Sequence, residues 1–101
     1  MSEPTTMYIL LHSPGPAVPE GTSVADHPGM VEHYAFLQRR AAAGELVAAG
    51  PMPASNGHGM TLLEVDSLEE AKRLATVDDL AVARGVLTVR VSPWLVVMAR
   101  D

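Results

Sequence analysis

Between Met30 and Pro53 the chain reads MVEHYAFLQRRAAAGELVAAGPMP, a helical pattern that turns into an apolar extended run at a single glycine. This join constrains the fold more than any other feature, because the side-chain period changes there from 3.6 to 2. Met30, Tyr34, Leu37 and Ala41 recur at helical spacing and predict a helix over 30–43. Gly44 suits its stop, and Arg39 and Arg40 sit near the negative end of the helix dipole. ELVAAG (45–50) then predicts a strand, ended by Pro51 and Pro53.

Upstream, MYILLHS (7–13) is a short apolar run that reads as a buried strand. The segment 14–29 is rich in proline and glycine, cannot hold a regular ladder, and is long for a connection. Loops of this kind act as lids or stay disordered. Downstream, ASNGHG (54–59) carries the Asn-Gly hairpin signal, and GMTLLEVD (59–66) alternates as a third strand. Ser67 and Glu70 match a capping box, so a second helix starts there and runs to about Thr76. DDLAVARG (78–85) predicts one or two further helical turns, capped by an aspartate and closed by Gly85. VLTVRVSP (86–93) is a fourth strand, and WLVVMA (94–99) reads as a fifth extended run beyond Pro93.

The order is β-α-β-β-α-β, which predicts an α+β fold of the ferredoxin-like plan: one antiparallel sheet with helices on one face, over a single domain spanning 1–101. The other sheet face stays apolar, so a second copy is the expected cover, with the 94–99 run reaching across to pair with it. Net charge is −5, and no Lys/Arg cluster exceeds the pairs Arg39–Arg40 and Lys72–Arg73, which argues against nucleic acid. Cysteine is absent, which excludes disulfides and thiolate ligands. The four histidines show no metal-ligand spacing, so no metal is expected. A polar N-terminus and the lack of a long apolar run predict a cytoplasmic chain with no membrane partner.

LQRRAAAGELVAAGPMP (37–53), with SLEEAKRLATVDD and GVLTVRVSPW in 67–94, resembles the YciI-like (YCII-related) family. Ala-Gly-Pro is the most specific part of the likeness. The resemblance implies a dimeric α+β barrel of ferredoxin-like subunits, similar to small barrels of the muconolactone isomerase type. It also implies a site made of one helical histidine, which falls on His33, and one aspartate after the second helix, which falls on Asp79. Leu80 stands where the family commonly has proline, and Met30 where it often has arginine. A one-residue shift would select Asp78. Against it, Asp78 as helix cap would have its carboxylate occupied by backbone N–H groups, leaving Asp79 free.

A carboxylate bonded to one ring nitrogen fixes the imidazole tautomer and leaves the other nitrogen to move a proton. The expected function is therefore a cofactor-free lyase or isomerase. Its His33–Asp79 dyad would catalyse elimination, dehydration or double-bond migration on a small cyclic or aromatic metabolite. A non-catalytic dimeric binding or stress-associated protein is the alternative. His12, at the end of the first strand, is a candidate to stand behind the dyad or point into a cavity, and Tyr8 and Trp94 are packing residues that could line a pocket. His27 and His58 are expected in solvent.

Overall fold

The structure, a computed structural model, describes residues 3–100; Met1, Ser2 and Asp101 lie outside the described residues. Strand β1 (Thr5–Pro14) leads through a 3-10 turn (Val24–Asp26) into helix α1 (Met30–Ala42). β2 (Leu46–Pro51) and β3 (Gly59–Leu63) form the central hairpin. Helix α2 (Leu68–Arg73) widens into a π turn (Leu74–Asp78), followed by the short helix α3 (Leu80–Ala83) and strand β4 (Leu87–Val96). The sheet order is β2-β3-β1-β4, every neighbouring pair antiparallel. β1 and β2 therefore run the same way with β3 between them, the split βαβ arrangement expected from the sequence.

Local chemistry sets the boundaries. Gly44 has φ +76°, a backbone open to glycine, and it ends α1 with Gly44 N–H donating to Ala41 O and Glu45 N–H to Arg40 O. Ser67 Oγ accepts from Glu70 N–H at 3.1 Å and starts α2. Glu70 itself turns away to a two-pronged ion pair with Arg73, so only half of the capping box forms.

The helix-facing side of the sheet carries the core. Tyr8, Leu10 and Leu63 pack with Phe36 of α1 and with Ala71, Leu74 and Ala75. The apolar face of α1 differs from the expected one. His33 and Phe36 are its buried residues, whereas Tyr34 is 54% exposed. Phe36 has no polar atom to keep in water, so it takes the centre of the core and rotates Tyr34 outward.

The expected fifth strand does not form separately. Trp94, Leu95 and Val96 continue β4 and pair with Met7, Thr6 and Thr5 of the same chain. Pro93 does not break the strand because β4 lies at the sheet edge, where proline is tolerated. Segment 14–29 is tied down as well: Gly15 N–H donates to Val86 O at 2.8 Å and Ala17 N–H to Gly85 O at 2.9 Å. That approach requires glycine, since a Cβ on Gly15 would lie 2.2 Å from the Gly85 carbonyl oxygen. No helix among the described residues is long and apolar enough to cross a membrane.

Candidate functional site

Three elements deliver three polar side chains into one buried cluster. β1 alternates, so His12 follows Tyr8 and Leu10 onto the helix-facing side. α1 presents His33 from the same face as Phe36, whose ring lies 6.1 Å from the imidazole. The start of α3 supplies Asp79. All three are buried, Asp79 completely.

Asp79 uses its two oxygens for different purposes. Oδ1 accepts the Ala81 N–H at 3.1 Å and caps α3; Oδ2 accepts from His33 Nδ1 at 2.7 Å. Its position depends on the π turn, in which Asp79 N–H reaches back five residues to Leu74 O at 3.1 Å. The sequence favours Asp79 over Asp78 on the expectation that Asp78 caps the short helix. The structure reverses that premise and keeps the pairing: Asp79 is the cap and the partner of His33. Asp78 turns outward, 3.2 Å from Arg39 Nη2 and 3.5 Å from Arg40 Nη2.

With Nδ1–H donating to the carboxylate, Nε2 is the nitrogen His33 has left for a ligand. His12 stacks edge-on against His33, ring centroids 4.8 Å apart, and its Nε2 lies 3.9 Å from Asp79 Oδ2. That nitrogen is buried without a hydrogen-bond partner. Burial pushes the His12 pKa down to about 4, the His33 ring adds to the effect, and the Asp79 charge opposes it. His12 is therefore neutral at pH 7.

The donor atoms of His12, His33 and Asp79 lie within 4.8 Å of one another, a set of two imidazoles and a carboxylate that could approach a divalent ion. The 2.7 Å His33–Asp79 contact is the length of a hydrogen bond. Two ligands on one tetrahedral ion at bonds of about 2.1 Å would stand roughly 3.4 Å apart. The arrangement as it stands shares a proton.

A cavity of about 300 Å³ opens beside the cluster, with His12 and His33 in its wall. Met30, Tyr34 and Leu37 of α1 line one side, and Pro51, Met52 and Met60 of the β2–β3 hairpin line the other. Ser23, Val24 and Ala25 from segment 14–29 close an end, so that segment borders the cavity. The 3-10 turn belongs to the segment 14–29 expected as a lid, whereas the hairpin side and Thr61 were not foreseen from the sequence. They reach the cavity only through sheet pairing, which leaves no local periodic signal.

The other candidates fall elsewhere. Tyr8 is a core residue beneath Phe36. Trp94 pairs with Met7 on the opposite side of the sheet and is 44% exposed, outside the cavity. His27 is half-buried and not simply solvated, its Nδ1 accepting the Gly29 N–H at 2.9 Å just before α1. His58 is exposed as expected, yet it lines the cavity mouth and lies 2.9 Å from the Ser13 hydroxyl.

No curated protein matches the sequence. The family model of the YCII-related domain does match, over residues 6–95, from Thr6 of β1 to Leu95 of β4, together with His12, His33 and Asp79. With nearly the whole chain inside that match, the protein belongs to the YCII-related family.

Proposed function

We propose that this protein is a cofactor-independent lyase or isomerase in which His33 moves a proton and Asp79 holds its ring. The observation that carries this reading is the 2.7 Å bond between His33 Nδ1 and a fully buried carboxylate, at the wall of a cavity. A carboxylate fixed by the backbone at Oδ1 cannot swing away, so the imidazole keeps one tautomer and one orientation. His33 Nε2 then takes a proton from a carbon next to a carbonyl. The C–H electron pair becomes a new double bond. Either a leaving group departs with its own pair, or the imidazolium returns the proton at another carbon. One well-placed base of this kind supplies on the order of 10²–10⁴ in rate. The substrate is a small cyclic or aromatic molecule, since the side chains around the dyad are mostly apolar.

The protein also acts, in this proposal, as a cytoplasmic homodimer. Ile9, Leu11 and Leu62 are half-buried on the sheet face that no helix covers, and Met60 and Trp94 are exposed beside them. A second sheet laid on that face would bury this surface.

Deuterium exchange on a panel of cyclic enols and hydroxy-ketones tests the catalytic reading. Wild type should exchange ring-carbon protons, and His33→Ala and Asp79→Asn should not. If ligands bind to all three forms and none exchanges a proton, the protein belongs to the alternative class of non-catalytic dimeric binders.

A further inference from the structure

We propose that the cavity selects an uncharged, ring-bearing molecule, because its walls offer apolar surface and no cationic side chain, with Met30 as the residue that sets this preference. The inference rests on the reading of this cavity as the substrate site. Among the described residues no Lys, Arg, Asp or Glu lines it; its ionisable side chains are those of His12, His33, His58 and Tyr34. The arginines of the neighbouring elements are engaged elsewhere: Arg39 with Asp78, Arg40 with Glu45 and Asp78, and Arg84 with Glu32.

An anionic ligand would meet an unfavourable field. The buried Asp79 carboxylate lies directly behind His33 and 3.9 Å from His12 Nε2. His12, held neutral by burial, supplies no balancing charge. A carboxylate group entering this space would lose its water with nothing to replace it. An uncharged ring loses little water and gains the surfaces of Met30, Tyr34, Leu37 and Met52. Two of these four are methionines, whose flexible thioethers adapt to the edge of a planar ligand. A volume of about 300 Å³ is at the lower bound of small-molecule sites, so it holds one or two fused rings. Met30 is the first residue of α1, one helical turn before His33. A ligand group lying there would be close to the dyad.

Calorimetric titration with three probes of one shape tests the inference: naphthol, naphthoate and naphthylmethylammonium near neutral pH. Naphthol should bind about tenfold or more tightly than naphthoate. Equal or tighter binding of naphthoate or of naphthylmethylammonium than of naphthol, or no binding of any probe, overturns the proposal. Met30→Arg should reverse the order of naphthol and naphthoate, and Met30→Gln should leave it unchanged. Met30 also packs against the small core cluster of Val24, Ala81, Val86 and Leu87, so circular dichroism must first show both variants folded. An unchanged order in folded Met30→Arg removes Met30 from its assigned role. Deuterium exchange on tetralone reads the dyad separately. Neutral preference without exchange upholds the ligand class and overturns proton transfer, while exchange with a preference for naphthoate does the reverse.

Discussion

Replacing Asp79 separates the two tasks of its carboxylate. Asp79→Ala removes the cap on Ala81 N–H and the bond to His33 together. The cap is worth about 1 kcal/mol. A buried hydrogen bond to a charged group adds about 2 kcal/mol. Asp79→Asn keeps an oxygen for the cap and an amide next to His33, so it should cost about 1 kcal/mol. For a chain of 101 residues these losses correspond to melting shifts of roughly 15 °C and roughly 5 °C at one protein concentration. The chemical consequence differs from the structural one. The asparagine amide donates where the carboxylate accepted, which pushes the His33 proton from Nδ1 to Nε2 and removes the lone pair that faces a ligand. Proton exchange should therefore fall at least about a hundredfold in Asp79→Asn despite its near-native stability. Nitrogen NMR of the imidazole reads the tautomer without any substrate. The reasoning is refuted if wild-type His33 carries its proton on Nε2, or if the two variants melt together.

Three other outcomes follow from the same geometry. His12 has a folded-state pKa near 4, below its ordinary 6.5, so it favours folding above pH 6.5 and loses that advantage as pH falls towards 4. The loss amounts to about 3 kcal/mol, and urea unfolding across this range should show it in wild type and not in His12→Leu; parallel curves would sink the account. Gly15→Ala forces a methyl group against the Gly85 carbonyl and should destabilise by roughly 2 kcal/mol in thermal melting, whereas an unchanged midpoint would mean that the 15–86 tether is not held in solution. Leu62→Lys places a charge on the bare sheet face, and light scattering should then find a monomer where wild type is a dimer; a wild-type monomer would remove the proposed interface.

The elements that repeat a period were legible in the sequence, and those that depend on a break in period were not. Strands β1 to β4 and helices α1 and α2 announce themselves by alternation, helical spacing, Gly44 and Ser67, because each signal is local. The exact face of α1 was read one position off, since Met30 and Tyr34 fit a helical stripe as well as His33 and Phe36 do. Only the partner surface, Tyr8, Leu10 and Leu63, decides between them. The π turn carries the same lesson into the site. Nothing in LATVD marks a widened turn, yet the extra residue it absorbs brings Asp79, and not Asp78, to the start of α3 and into reach of His33 across 46 positions. Family likeness points to the aspartate that bonds His33, and the expectation that Asp78 would be the cap does not hold. A cap and a hydrogen-bond partner looked like competing duties for one carboxylate; two oxygens at a fixed backbone make them compatible, and the cap is what holds the second oxygen still. His12 was legible only as a histidine at the end of a strand, because its burial and its unpartnered nitrogen arise from α1 and α3 packing over β1. Local structure and the site thus meet at Asp79, where the residue that starts a helix of four is the one that orients the imidazole.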